Sequence, residues 1–421
     1  TKPSSCIREV HYIMKKLPEL LAPAGDYEKL VIAVLYGADA VYIGGEEFSL
    51  RVAADNFTLD EITEGIEYAH SRGKKVYITA NIIPHNDDLK DFPSFIKEVS
   101  SMGADAVIVS DLGAFSIVRE TAPDLDIHIS TQANNTNYMS AKMWYKLGAR
   151  RVVLARDLSF KEIAEIRSNI KPDEELECFV HGAMCVSYSG RCLLSNYLTH
   201  RDANKGACSH PCRWKYYLME EKRPGQYMPV FENDRGTFLY NSKDLCMVNY
   251  IPDLIKAGIN SFKIEGRVKN ELYVATVVGA YRRAIDSYYK DPDNFKIDPY
   301  INTELEKVSH REYTTGFYYN KPDENNQLYT SNTYIQDYTI VAVVKSYDKK
   351  NGVAILEQRN RFFKGDELEV MMPGEKSFSF KVDYMTDEND EHIDVAPHPQ
   401  MTVKIKPGRH LNNFAIIRKK V

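Results

Sequence analysis

Short apolar, β-branched segments alternate with amphipathic stretches over the first 270 residues of this 421-residue chain. The pattern predicts strands at Leu20–Ala24, Ala40–Gly44, Val76–Asn81, Ala106–Asp111, Ile127–Gln132, Arg151–Ala155, Leu176–Val180 and Ser261–Glu265. Helices fall between them, at Asp26–Tyr36, Leu59–Ser71, Leu89–Met102, Ser140–Leu147 and Phe160–Ile170. Several close on a glycine (Gly37, Gly103, Gly148) just before the next strand, as helix C-termini do. Eight such βα units point to an α/β fold of the (β/α)8, TIM-like kind. A doubly wound open sheet is the alternative, because periodicity does not show closure; eight strands in one run favour the barrel.

About 80 residues interrupt the run between the seventh and eighth strands, at the end of the barrel where such folds keep their chemistry. This insertion holds a hairpin pattern at Gly236–Asn241. After Asp286 come a helical stretch and an irregular polar segment, Asn320–Asn332. Strand patterns follow at Tyr334–Ser346, Gly352–Glu357, Glu367–Met372, Ser379–Tyr384 and Met401–Ile405. The division expected is a barrel over 1–290 with a cysteine-rich insertion at 181–246, a connector at 291–333 and a small β-barrel at 334–421.

The hydrophobic fraction of 43% and mean hydropathy of −0.41 are those of a globular chain. No run approaches the ~18 apolar residues of a membrane helix. The first 20 residues lack a signal-peptide core, and a start on Thr implies initiator removal or trimming. A cytoplasmic, reducing location is therefore expected, with cysteines as thiols or ligands rather than disulfides. A net charge of −5 excludes a strongly basic nucleic-acid binder but not local basic patches. Two stand out. Residues 191–215 carry Arg191, Arg201, Lys205, Arg213 and Lys215 against Asp202 alone. The stretch from Met401 carries Lys404, Lys406, Arg409, Arg418, Lys419 and Lys420 with no acid.

Six of the seven cysteines lie between 178 and 246. Cys185, Cys192, Cys208 and Cys212 offer four thiolates from one insertion, which suits an iron–sulfur cluster or a structural zinc. The Cys-x2-Cys pairs of zinc ribbons are absent, favouring the cluster; buried or redox thiols are the third reading.

Polar residues just past the strand ends describe a pocket: Asp26, Glu46, Asn81, Asp111, Gln132, Asn134, Arg156, Asp157, His181, Glu265 and Arg267. Arg156, Arg191, Lys263 and Arg267, with Arg51, suit clamps on an anionic ligand. Pairing with Asp157, Glu177 or Glu265 is the equal alternative. His181, Tyr188 and Glu265 are the candidate catalytic side chains: His181 as acid/base, hydrogen-bond donor or structural residue, and Tyr188 as a stacking or hydrogen-bonding group. The zinc-protease helix, nucleophile elbow, P-loop, dinucleotide fingerprint and radical S-adenosylmethionine motif are all missing.

Phe179-Val-His-Gly-Ala-Met-Cys-Val-Ser-Tyr-Ser-Gly-Arg-Cys192 closely resembles the signature of the peptidase U32 family. So do Leu-Leu-Ala-Pro-Ala-Gly-Asp26, Asn241-Ser-Lys-Asp-Leu245, Lys263-Ile-Glu-Gly-Arg267 and Arg311-Glu-Tyr-Thr-Thr-Gly316, and the similarity spans nearly the whole chain. The family was named for collagenase-like proteolysis, yet its better-understood members are iron–sulfur proteins that install hydroxyl groups. The branch most resembled converts the wobble uridine of tRNA to 5-hydroxyuridine and depends on prephenate. The resemblance implies a 4Fe–4S cluster on Cys185, Cys192 and Cys208. Cys212 is taken as the fourth ligand and Cys246 is the spare. It also implies the tRNA anticodon loop and prephenate as partners, no membrane, and room for an oligomer with itself or a paralogue. A peptidase and a noncatalytic zinc-bearing RNA- or protein-binding module are the alternatives.

Overall fold

The computed structural model describes residues 17–50, 56–185, 187–214, 232–233, 236–237, 243–320 and 334–421. Eight parallel strands follow the apolar segments: β1 (Glu19–Pro23), β2 (Ala40–Gly44), β3 (Lys75–Ala80), β4 (Ala106–Val109), β5 (Asp126–Ile129), β6 (Arg151–Val153), β7 (Glu175–Ala183) and β8 (Ser261–Ile264). Each pairs with the next, and β8 pairs with both β7 (Ser261 opposite Glu177) and β1 (Ser261 opposite Glu19). That double pairing closes the barrel and disposes of the open-sheet alternative.

The helices α1 (Tyr27–Leu35), α2 (Leu59–His70), α3 (Phe92–Ser101), α4 (Leu112–Thr121), α5 (Tyr138–Leu147) and α6 (Phe160–Asn169) wrap the outside. Thr58 and Ser159 begin α2 and α6 with capping boxes closed by Glu61 and Glu162. Gly148 ends α5 at φ 105°, a conformation that a side chain would strain. The insertion contributes α7 (Leu194–Thr199), and α8 (Ile251–Lys256) leads into β8. The long α9 (Glu271–Lys290) then packs across the barrel, followed by α10 (Pro299–Glu306). Among the described residues, no helix is long and apolar enough to cross a membrane.

β7 overruns the barrel rim. Its last residues pair antiparallel with the strand Asp244–Cys246, which in turn pairs with Tyr313–Thr314. The β7–β8 register also slips: Lys263 faces Phe179, but Ile264 faces His181. One extra residue in β7 therefore breaks the period-two alternation that would put Glu177, Phe179 and His181 on one face.

The C-terminal strands are β9 (Tyr338–Asp348), β10 (Val353–Gln358), β11 (Glu367–Met371), β12 (Phe378–Lys381), β13 (Met385–Thr386), β14 (Thr402–Ile405) and β15 (Ile416–Lys420). They form one antiparallel sheet, in the order β12-β11-β15-β9-β10-β14-β13, that curls into a half-barrel around Val341, Leu356, Leu368 and Val403. β15 has no counterpart among the predicted strands. It lies between β9 and β11, so part of the basic tail is a central strand. The pattern Gly236–Asn241 lies largely outside the described residues; Glu232–Asn233 pairs with Gly236–Thr237.

Candidate functional site

Alternate residues of the barrel strands point inward, and this inner face is strongly ionic. On β6, Arg151 donates to Glu19 (2.6 Å), Glu175 (2.7 Å) and Glu177 (3.0 Å). Glu177, fully buried, also accepts from Lys263 Nζ at 2.8 Å, and Tyr77 donates to Glu19 at 2.6 Å. Charges buried this deeply persist only when paired. Burial works to raise the Glu19 carboxyl, but Arg151 outweighs it and holds the group below its ordinary value.

Above this ladder lies a cavity of about 180 Å³ at the C-terminal ends of the strands. Arg156, just past β6, crosses the mouth to Glu265 (2.8 Å) and to the Ala183 carbonyl (2.5 Å), with its guanidinium 3.8 Å from the Phe179 ring. Lys263 stands over the Tyr42 ring at 4.4 Å. Arg267 donates to Ser49 (2.6 Å), Thr79 (2.8 Å) and Asn56 (2.6 Å). All three cations line the cavity, as does Glu265. The pairing expected as the alternative to anion clamping is thus present, through Glu265 and Glu177.

The insertion forms the roof. Cys185, Cys192, Cys208 and Cys212 line this same cavity, and so does Tyr188, half exposed at its lip. Polar contacts tie the roof to the barrel. Asn134 donates to the Ser189 carbonyl (2.8 Å), the Ile83 amide to the Asn204 carbonyl (3.1 Å), and Lys205 pairs with Asp88 (2.6 Å). Four thiols around one pocket are a donor set that fits a soft metal centre. Among the described residues, however, no three His, Cys, Asp or Glu side chains are drawn together closely enough to hold a metal ion. Cys178 and Cys246 do not line the cavity. Burial raises the Cys178 thiol and pushes that of Cys246 up to about 11.

Two predicted site residues stand elsewhere. The bulge in β7 turns His181 away from the mouth and under α9. There its ring is 1% exposed, with its centroid 5.6 Å from Tyr281, 5.4 Å from Tyr313 and 6.0 Å from Tyr273. Burial pushes its pKa down to about 3, with His310 and Lys269 adding to the effect. A neutral imidazole held by packing is what the geometry provides, and not an acid at the cavity. Arg191 follows the roof turn into solvent and is absent from the lining. Arg51 lies outside the described residues. Of the other rim residues, Asn81 and Gln132 line the cavity, whereas Asp26 and Asp111 cap α1 and α4. Tyr42, Thr79, Ser130 and Phe179 also line it and were not singled out from sequence. Their signal was alternation along β2, β3, β5 and β7, which puts them on the inward face beside residues that were.

The peptidase family U32 profile matches residues 25–328, and that of its C-terminal domain matches 336–418. The chain is 41% identical over 407 residues to tRNA hydroxylation protein P1 of Bacillus subtilis, covering 97% of this chain and 96% of that one. It is 38% identical over 440 residues to tRNA hydroxylation protein P of Escherichia coli, covering 95% and 96%. The 23S rRNA 5-hydroxycytidine C2501 synthase of Escherichia coli is 33% identical over 401 residues, covering 94% of this chain and 59% of that one. With matches of this extent over both the barrel and the half-barrel, the chain belongs to peptidase family U32.

Proposed function

We propose that this protein hydroxylates RNA, and that it converts the wobble uridine of tRNA to 5-hydroxyuridine. The names of its relatives support RNA hydroxylation. The observation that carries the reading is that Cys185, Cys192, Cys208 and Cys212 all line one cavity at the barrel mouth, where a base turned out of its stack can be received. A 4Fe–4S cluster held by these four residues would supply one-electron chemistry at that cavity.

The other residues bind and orient. Arg156, Lys263 and Arg267 are the cations available to the carboxylates of prephenate as co-substrate, and each is already fixed by protein oxygens. Pre-fixed donors lose little freedom when a ligand arrives. Glu265 holds Arg156 in place, and Tyr188 closes the lip with an aromatic face suited to a nucleobase. Arg191 and Arg201, exposed on the roof, face outward to phosphates.

The test combines nucleoside mass spectrometry of tRNA from a deletion strain with iron counting on purified variants. Deletion should remove 5-hydroxyuridine derivatives, and only the wild-type gene should restore them. Cys185→Ser, Cys192→Ser, Cys208→Ser and Cys212→Ser should each lose iron, while Cys246→Ser keeps it, because serine replaces a thiolate poorly. Unchanged tRNA in the deletion strain sinks the reading; iron lost from Cys246→Ser but kept in Cys212→Ser moves the fourth ligand.

A further inference from the structure

Two carboxamides at the cavity keep buried oxygens that no donor reaches. Asn81 follows β3, and Gln132 sits in the single turn Thr131–Ala133 after β5. Asn81 Oδ1 and Gln132 Oε1 are both buried without a hydrogen-bond partner, although both residues line the cavity. Ser130 lies between them: its Oγ accepts from Asn81 Nδ2 at 3.1 Å and from the backbone N–H of Gln132 at 3.3 Å. That contact turns the Asn81 oxygen away from Ser130. The roof presses on the same place, since a Cβ at Gly190 would meet Gln132 Oε1 at 3.0 Å. Native proteins rarely bury acceptors unmet, and such groups call for an explanation.

The cations of the cavity already donate to protein oxygens, Arg156 to Glu265, Lys263 to Glu177 and Arg267 to Ser49, Thr79 and Asn56. The unmet acceptors at this wall of the cavity are the two amide oxygens. We infer that Asn81 and Gln132 are the base-reading pair of the site, taking the imide edge of a uracil turned out of its stack. This rests on the RNA reading above and adds to it the residues that choose the base.

The chemistry is complementary. Uracil places one donor, N3–H, between two carbonyl oxygens, so the oxygens of Asn81 and Gln132 share N3–H in a three-centre hydrogen bond while their nitrogens take the carbonyls on either side. Cytosine presents an acceptor at N3 and an amino group beside it. The same carboxamide orientation sets acceptor against acceptor and donor against donor there. Positioned amides thus reject cytosine by leaving buried polar groups unpaired.

The experiment measures binding of the anaerobically purified full chain to anticodon stem–loop RNAs by fluorescence anisotropy. The target position carries uridine, 3-methyluridine, cytidine or no base. The wild type should bind the uridine RNA about tenfold more tightly than the 3-methyluridine or cytidine RNA. In Asn81→Leu and Gln132→Met that preference should fall to within about twofold, while the RNA lacking the base binds them as it binds the wild type. Gln132→Glu keeps the shape but offers acceptors only, so it should shift preference toward cytidine, whose amino group it can accept. Equal binding of uridine and 3-methyluridine by a wild type that does bind RNA overturns the inference, as does a preference that survives in the variants. Failure to bind any of the RNAs defeats the RNA reading itself, and this inference with it.

Discussion

Residues 191–215 and 404–420 are the two stretches of this chain where basic residues crowd together, and the fold treats them in opposite ways. In the tail, Arg418 is fully buried between Glu304 (2.6 Å) and Glu369. Lys404 pairs with Asp390 (2.7 Å), Arg409 with Glu375 (2.6 Å) and Lys419 with Asp366 (3.2 Å). The acids come from other parts of the chain, so a segment with no acid of its own is largely neutralised. The roof loop differs. Lys205 is paired with Asp88, but Arg191 and Arg201 are exposed and have no acidic partner among the described residues. Around them Leu193, Tyr197 and Trp214 are exposed too, at 68%, 83% and 43%. Charge interleaved with open aromatic faces suits single-stranded RNA; charge matched by neighbouring acids suits structure. A run of basic residues predicts a surface potential only when its neighbours in space leave it unmatched.

Breaking the tail's buried pairing should have the largest effect. Arg418→Ala removes the buried cation from Glu304 and Glu369 and leaves Lys307 (2.8 and 2.9 Å) as their shared partner, which costs about 3 kcal/mol, the low end for a buried pair cut on one side. Denaturant unfolding of the C-terminal domain should report it. A loss below ~1 kcal/mol would show that the network is solvated like a surface pair.

Sharpening the roof side comes next. Neutralising Arg191 and Arg201 to Gln should lower tRNA affinity and reduce the salt slope of binding by roughly one unit per lost phosphate contact, with iron content unchanged. An unaltered slope would mean that these arginines face solvent in the complex as well.

The smallest effect is expected from the tail's exposed pairs. The charge run alone would assign Lys404, Lys406 and Arg409 to the tRNA backbone, but Lys404 and Arg409 already hold acids and Lys406 lies 4.4 Å from the Tyr384 ring. Their joint neutralisation should leave the salt slope where it was and change stability by no more than about 1 kcal/mol per pair. A fall of two or three units of slope would reinstate the tail as an RNA contact.

Much of this molecule was legible along the chain because local rules and the fold agree. β-Branched runs became the barrel strands, and Thr58, Ser159 and Gly148 bound helices where their side chains or backbone freedom require. The cysteine spacing and the insertion's place after β7 located the cavity, since barrel chemistry gathers at the C-terminal ends of strands. Three things needed the third dimension. Closure rests on β8 meeting β1 as well as β7, and the β1 pairing joins residues more than half the chain apart. His181 leaves the site because one bulged residue in β7 reverses every later side chain, and periodicity carries no sign of a single inserted residue. Which cations are free is likewise decided by neighbours: Arg156 finds Glu265 and Arg418 finds Glu304 across 109 and 114 residues of chain. Local sequence determines where strands, caps and thiols fall, because those preferences act within a few residues. Burial and pairing of charge belong to tertiary structure, because electrostatics depends on distance in space and on the solvent excluded between partners.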